Sequence, residues 1–124
     1  MDILVVEDDP HLTQIMKNKM EGWGHHVEAS ATGKGALERV AQRKFDLALL
    51  DVFLPDGKGH HLIPQFRAQW PDMGIVTITG LNTRELELEV RKQGIAYFMT
   101  KPFEAQAMKQ IINHISRKRG DARR

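Results

Sequence analysis

The chain has 124 residues, of which 41% are hydrophobic and 27% are charged, and it contains no cysteine. This length is typical of one domain with its own core, and the composition differs from that of a disordered chain. The lack of cysteine excludes a disulfide scaffold, a thiolate zinc site and a thiol nucleophile. No apolar run approaches the roughly 18–20 residues that span a bilayer, and the N-terminus lacks the basic region of an export signal, so we expect a soluble, cytoplasmic protein.

The charge is distributed unevenly along the chain. The net charge of the whole chain is +2, but residues 117–124 contain five basic residues and one acid, and without them 13 basic and 15 acidic residues remain. We therefore predict a mildly acidic domain over residues 1–117. Residues 118–124 are predicted to be a basic tail or the start of a linker, which is more typical of a solvated end than of a nucleic-acid arm. We favour a piece of a longer protein over a stand-alone domain.

Short apolar runs and amphipathic segments alternate along the chain. The first run is followed by acidic residues, with Asp9 placed to cap a helix and Pro10 at its first position. The predicted strands cover residues 3–6, 27–29, 45–50, 75–79 and 96–99, and helical spacing of apolar residues follows each of them, at 12–20, 36–41, 62–66, 85–90 and 108–115. Such alternation indicates an α/β fold with a parallel sheet and helices on both of its faces.

The segment from Glu85 to Val90 is ambiguous, because its apolar residues alternate as in a strand. Glu and Leu favour a helix, and Asn82 with Glu85 resembles a capping box, so we predict a helix. Its buried face would then include Val90, whereas Leu88 would point to solvent. An exposed leucine at that position is either unremarkable or part of a partner surface.

Polar residues follow the buried strands where ligands bind in open parallel sheets, outside the carboxyl ends of the strands. They are Glu7, Asp8 and Asp9 after the first strand, Asp51 after the third, Thr79 at the end of the fourth and Lys101 after the fifth. Crowded carboxylates repel one another unless a cation joins them, and oxygen ligands suit Mg²⁺ before Ca²⁺. A carboxylate can also accept a phosphoryl group as an acyl phosphate, while a lysine and a hydroxyl neutralise the phosphoryl oxygens.

Four sequence pieces in this order and spacing resemble the receiver (phosphoacceptor) domain of two-component response regulators, over residues 2 to about 117. The pieces are residues 4–9 (LVVEDD), 49–57 (LLDVFLPDG), 78–80 (ITG) and 100–103 (TKPF). The resemblance implies a flavodoxin-like, doubly wound fold: a five-stranded parallel sheet of order 2-1-3-4-5 with five helices. It also implies a signalling domain rather than an enzyme.

The resemblance implies that Asp51 is the phosphoacceptor. It would receive the phosphoryl group from a phosphohistidine of a sensor histidine kinase or phosphotransfer protein, and slow hydrolysis would follow. Asp51 and Asp8 would bind Mg²⁺ (with Mn²⁺ as a substitute), Glu7 would act through a metal-bound water, and the backbone carbonyl of Phe53 would be a further ligand.

The resemblance also implies a conformational switch. Thr79 and Lys101 would bind phosphoryl oxygens, and the bond between Lys101 and Pro102 would be cis. Thr79 would move toward the phosphoryl group and Phe98 would turn inward behind it, or Tyr97 if the match is off by one residue. The face of the fourth helix, fifth strand and fifth helix would change and would contact an output domain, a partner or a second copy of the chain.

Other functions fit the sequence less well. A phosphatase of the haloacid dehalogenase type needs a second Asp two residues after the nucleophile, where this chain has Phe53. A degenerate receiver used only as a scaffold does not need the complete set of acids with Thr79 and Lys101. Direct nucleic-acid binding and membrane association are not expected, since the body is acidic and lacks a helix-turn-helix pattern.

Two further expectations concern individual residues. By the same resemblance, Phe53 and Leu81, two residues beyond Asp51 and Thr79, should flank the path of an attacking water without offering it a hydrogen bond. This predicts slow loss of the phosphoryl group compared with receivers that carry polar residues there. The histidine pairs His25–His26 and His60–His61 are predicted to be surface residues rather than metal ligands, because neighbouring residues point in different directions and no third ligand lies at a suitable spacing.

Overall fold

Strands and helices alternate along the computed structural model, which describes residues 1–122 of the chain. The sheet strands are β1 (Asp2–Val6), β2 (His26–Ser30), β3 (Leu47–Asp51), β4 (Gly74–Thr79) and β5 (Tyr97–Thr100). The helices are α1 (Pro10–Gly22), α2 (Gly33–Gln42), α3 (Ile63–Gln69), α4 (Arg84–Arg91) and α5 (Ala105–Ala122). A two-residue hairpin, Phe53–Leu54 with Gly57–Lys58, and a 3₁₀ turn, Gly59–Leu62, lie between β3 and α3.

The five strands form one parallel sheet in the order β2-β1-β3-β4-β5, which confirms the predicted fold class. The central strands are buried on both faces because helices cover both, so they read in the sequence as unbroken apolar runs. All five strands point the same way, and their carboxyl ends therefore share one edge of the sheet.

Two apolar layers hold the helices to the sheet, one on each face. Alternate residues of β1 divide between them: Ile3 and Val5 join the first layer, Leu4 and Val6 the second. The first layer receives its helical residues from α1 and α5 (Met16, Met20, Met108, Ile112 and Ile115). The second receives them from α2 and α3 (Ala36, Val40, Ile63 and Phe66).

The ambiguous segment is a helix, α4, as predicted. Its N-cap is Thr83, whose hydroxyl accepts a hydrogen bond from the amide of Leu86, and not Asn82 as the predicted capping box required. Val90 is fully buried and Leu88 is 52% exposed, as the helical interpretation predicts.

Helix α5 continues beyond residue 117 as far as Ala122. Arg119 lies within the segment predicted to be a basic tail, yet it forms an ion pair with Asp46 (3.1 Å) and donates a hydrogen bond to the carbonyl of Asp72 (2.7 Å). Arg123 and Arg124 of the predicted tail lie outside the described residues, and the boundary at residue 117 stays a prediction. Over residues 1–122 no helix has both the length and the hydropathy to cross a bilayer.

Candidate functional site

Three charged side chains from different strands meet at the carboxyl edge of the sheet. Lys101, which follows β5, places its Nζ 2.6 Å from Oε1 of Glu7 and 3.1 Å from Oδ2 of Asp51. Glu7 follows β1 and Asp51 ends β3, so the parallel sheet brings together residues that are 44 and 50 positions apart. The predicted convergence of acids and lysine at this edge is therefore observed.

Both contacted carboxylates are buried, with Glu7 3% and Asp51 5% exposed. The backbone amide of Phe53 donates a hydrogen bond of 3.1 Å to Oδ1 of Asp51, and the amide of Asp9 donates one of 3.1 Å to Oε2 of Glu7. Each carboxylate therefore has one oxygen bound by a backbone amide and the other beside the lysine, which fixes its orientation before any ligand binds.

Asp8 adds a third acid beside this pair, and it is exposed. Glu7, Asp8 and Asp51 each offer a carboxylate oxygen within 4.8 Å of the other two. A donor set made only of oxygens, open to solvent on one side, fits a hard ion such as Mg²⁺ that keeps several of its waters. Coordination by the carbonyl of Phe53 stays a prediction.

Lys101 is held in its charged form by the two acids. Partial burial acts to lower the pKa of its ammonium, but the hydrogen bonds and charges of Glu7 and Asp51 outweigh this, so the pKa is raised above its ordinary value. The ammonium thus offsets part of the repulsion between the two buried carboxylates.

Thr79, at the end of β4, is fully buried but its hydroxyl is engaged within its own turn. The hydroxyl donates a hydrogen bond of 2.8 Å to the carbonyl of Leu81 and accepts one of 3.1 Å from the amide of the same residue. Its backbone carbonyl accepts a bond of 2.8 Å from the amide of Lys101. The hydroxyl can therefore donate to a new acceptor only by releasing the carbonyl of Leu81.

The two candidate switch aromatics lie on opposite faces of the sheet. Tyr97 packs against the layer formed with α1 and α5, and its ring meets that of His114 edge-on. Phe98 pairs in register with Thr77, so it shares the face of Thr77 and Thr79, and the guanidinium of Arg91 in α4 lies 5.7 Å from its ring centre. Phe98, and not Tyr97, therefore shares the face of Thr79, and a switch role for either residue stays a prediction. The bond between Lys101 and Pro102 is cis.

The loop after Asp51 contains two structural residues that the sequence did not single out. Gly59 lies against the backbone of Asp51: a β-carbon added there would stand 1.9 Å from the carbonyl oxygen of Asp51, so no other residue fits. The carboxylate of Asp56 accepts bonds from the amides of Gly33 (2.8 Å) and Lys34 (3.0 Å) and thereby caps α2, and these bonds lower its pKa. Both features depend on chain segments that meet only after folding.

A second cluster of titratable groups lies where the 3₁₀ turn meets α4. Nε2 of His60 is 3.0 Å and Nε2 of His61 is 3.6 Å from Oε1 of Glu89, and the hydrogen bond with His60 contributes to lowering the pKa of Glu89. His60 is only 1% exposed, so the prediction that these histidines are surface residues is wrong for His60. The rings of His60 and His61 lie 4.5 Å apart and meet edge-on.

Comparison with known proteins shows the family to which the chain belongs. The sequence model of the family described as the response regulator receiver domain matches residues 3–113. The chain is a member of the response regulator receiver domain family. This confirms the family expected from the four sequence pieces.

Two regulatory proteins are similar to the chain over most of its length. The chain is 33% identical over 121 residues to the transcriptional regulatory protein CitT of Bacillus subtilis, covering 94% of this chain and 53% of that protein. It is 30% identical over 110 residues to the response regulator protein FleR of Pseudomonas aeruginosa, covering 89% of this chain and 23% of that protein. The chain thus spans between about a quarter and about half of these relatives.

Solved receiver domains match almost the whole chain. A CheY-like receiver domain from Methanospirillum hungatei has a TM-score of 0.88 at 26% identity, with 97% of each chain covered. The non-phosphorylated HemR receiver domain of Leptospira biflexa has a TM-score of 0.85 at 29% identity, with 92% of each chain covered.

Proposed function

We propose that this receiver domain accepts a phosphoryl group on Asp51 in a Mg²⁺-dependent reaction and uses it to change the surface around α4, β5 and α5. The observation that carries the proposal is the meeting of a buried, oriented Asp51 with Lys101 and two further acids at the ligand-binding edge of the sheet. A structural ion pair needs one acid for the lysine, whereas this edge has three.

The positions of these side chains support the following reaction. A carboxylate oxygen of Asp51 attacks the phosphorus, the bond from phosphorus to the donor nitrogen of a phosphohistidine breaks, and Asp51 becomes an acyl phosphate. Mg²⁺ bound by Asp8, Asp51 and, through water, Glu7 would neutralise the negative charge of the phosphoryl oxygens. Lys101 already lies 3.1 Å from Asp51 and can follow the new charge with a short movement.

The switch would begin at Thr79. A phosphoryl oxygen on Asp51 offers its hydroxyl a charged acceptor, which is stronger than the carbonyl of Leu81 that it now binds. Releasing that carbonyl frees the start of the connection from β4 to α4, and the movement of Thr79 leaves space for Phe98 on the same face. The surface of α4, β5 and α5 would then differ between the two states.

Partners are proposed from the same geometry. A sensor histidine kinase or phosphotransfer protein would supply the phosphoryl group, and an output domain, a separate partner or a second copy of the chain would contact the α4, β5 and α5 surface. Leu88 on α4 is more than half exposed and belongs to that surface. An apolar side chain at this position gives the partner surface its hydrophobic contact.

The test is phosphorylation by acetyl phosphate, which needs no kinase. The wild-type protein incubated with acetyl phosphate and Mg²⁺ should gain one phosphoryl group by intact mass, and Asp51→Asn should gain none. Chelating the divalent ion should prevent the gain, and Mn²⁺ should restore it. Asp56→Asn is the matched control, because Asp56 follows the same strand but binds the amides at the start of α2.

The proposal fails if Asp51→Asn is phosphorylated like the wild type, or if neither protein gains mass. Glu7→Gln and Asp8→Asn should keep the site of modification and slow its formation. Equal rates of phosphorylation in the wild type and both variants would show that Glu7 and Asp8 take no part in the reaction and have only a structural role.

A further inference from the structure

The cluster of His60, His61 and Glu89 lies outside the phosphoacceptor site and has no part in the reaction proposed above. His60 and His61 belong to the 3₁₀ turn that follows β3 and its hairpin, and Glu89 belongs to α4. Each offers one ligand atom within 4.8 Å of the other two, namely two ring nitrogens and one carboxylate oxygen. Over the described residues this is the one such group that contains histidine.

The distances match those of a small tetrahedral ion. Zinc binds imidazole nitrogen and carboxylate oxygen at about 2.0–2.2 Å, which places neighbouring ligand atoms of a tetrahedron roughly 3.3 Å apart. The separations from Oε1 of Glu89 are 3.0 Å to Nε2 of His60 and 3.6 Å to Nε2 of His61, on either side of that value. An ion among the three atoms therefore needs only small side-chain movements.

The burial of the three side chains also suits an ion that enters from solvent. His60 is 1% exposed, so its ring is held by packing with Nε2 directed at α4. His61 and Glu89 have side chains 62% and 56% exposed and leave the outer side open. One candidate ligand is thus held in place by packing, and the two exposed side chains can close over an ion that enters from solvent.

We propose that His60, His61 and Glu89 form a binding site for a late first-row divalent cation, best matched by Zn²⁺, which joins the turn after β3 to α4. Two imidazoles and one carboxylate form a ligand set that suits zinc, whereas Mg²⁺ prefers oxygen ligands. The site is therefore chemically distinct from the acidic edge, where the donors are all carboxylates.

The place of the site in the fold gives it a consequence. His60 follows Gly59, whose amide donates a hydrogen bond of 2.7 Å to the carbonyl of Val52, next to Asp51. An ion held between this turn and Glu89 fixes α4 against the segment that leaves the phosphoacceptor. Bound zinc stabilises the folded chain by mass action and restricts displacement of α4.

The test is a zinc titration of protein freed of metal by a chelator, in the presence of excess Mg²⁺ so that the acidic edge is not the reporter. A chromophoric zinc chelator gives the affinity and stoichiometry, and the imidazole nitrogen resonances of ¹⁵N-labelled protein identify the ligands. We expect one zinc per chain, with shifts of the Nε2 signals of His60 and His61.

Two variants remove exposed ligands and should not disturb folding. His61→Ala and Glu89→Gln should each weaken zinc binding by about 10–100-fold or more, the range found when even indirect partners of a metal are removed. His26→Ala is the matched control, because His26 is also an exposed histidine beside a carboxylate, 3.4 Å from Glu28. It should bind zinc like the wild type.

The inference is overturned if the wild type takes up no zinc under these conditions, or if His61→Ala and Glu89→Gln bind it as tightly as the wild type. It is also overturned if the shifted resonances belong to other histidines. None of these results bears on Asp51, since acetyl phosphate labelling is measured separately and requires neither histidine.

Discussion

Helices α1 and α4 flank the same sheet but are attached to it very differently. α1 has 13 residues and contributes the fully buried Met16 and Met20 to an apolar layer shared with α5. α4 has eight residues, and Val90 is its one buried side chain. Its other contacts include polar ones, such as the hydrogen bond of Glu89 with His60.

The difference in buried apolar surface suggests that α1 and α4 have different roles in the domain. Apolar burial supplies most of the free energy of folding, so α1 is part of what holds the sheet together. α4 makes little of that contribution, and an element with few buried contacts can shift at low cost. If Asp51 is phosphorylated as proposed, the few hydrogen bonds of a phosphoryl group suffice to change the position of α4 without unfolding the domain.

The largest expected effect is on stability in α1. Met20→Ala should lower the free energy of unfolding by about 2–5 kcal/mol, because it removes a fully buried side chain and leaves a cavity. Leu88→Ala in α4 should change it by no more than about 0.5 kcal/mol, since that side chain is largely exposed. Urea unfolding of both variants measures the contrast. Equal losses would show that α4 is as firmly packed as α1.

The next effect concerns Gly59, the first residue of the 3₁₀ turn that follows β3 and its hairpin. Gly59→Ala should cost about 1–3 kcal/mol, because the added β-carbon collides with the carbonyl oxygen of Asp51 and the backbone must move. Gly22→Ala is the control, since a β-carbon there has nothing within 4 Å. The thermal unfolding midpoint of Gly59→Ala should therefore lie below that of Gly22→Ala. An unchanged midpoint in Gly59→Ala would mean that the backbone around Gly59 can move away from Asp51 at no cost.

A smaller effect is expected on the lifetime of the acyl phosphate. Phe53 follows the firmly held β3 and Leu81 begins the connection to α4, and neither side chain can orient a water by hydrogen bonding. Combining Phe53→Asn with Leu81→Glu should speed phosphate loss severalfold, followed by intact mass after excess acetyl phosphate is removed. Leu88→Glu, on the exposed side of α4, should leave the decay as in the wild type. Unchanged decay in the double variant would contradict the assigned water path.

The smallest effect is a pH dependence of stability carried by Lys101. Its pKa is higher in the folded chain than the ordinary 10.5, so its contribution is fully present below that value and is lost as the pH rises through the folded pKa. The urea midpoint of the wild type should therefore fall more steeply above about pH 10 than that of Lys101→Met. Lys92→Met, which removes an exposed lysine at the end of α4, should follow the wild type.

Much of the fold was predictable because the central strands are covered on both sides. Residues 3–6 and 47–50 are continuous apolar runs, and parallel strands place the acids that follow them at one edge. The meeting of Glu7, Asp51 and Lys101 follows from this rule alone. The sequence also indicated α4 as a helix, although it misplaced the N-cap at Asn82, because both Asn82 and Thr83 are suitable capping residues.

Contacts between distant segments were not predictable in the same way. The pairing of His60 with Glu89 joins residues 29 positions apart, and no periodicity relates the 3₁₀ turn to α4. The same holds for Asp56, whose carboxylate binds amides at the start of α2. The close approach of Gly59 to Asp51 is more local, but it depends on how the loop after β3 folds back on that strand. The hydroxyl of Thr79 was expected near the acids, but its bonds to Leu81 depend on a local turn that the sequence does not specify.

At the edge of the sheet away from the acids, polar contacts hold the end of α5 to the segments that precede two strands. Arg119, near the end of α5, is bound to Asp46 before β3 and to the carbonyl of Asp72 before β4, and Asp46 also accepts the amide of Asp2 in β1. Sliding α5 along the sheet would break these contacts together. Rearrangement of the surface around β5 is therefore expected to occur by rotation of side chains and displacement of α4, while the axis of α5 stays in place.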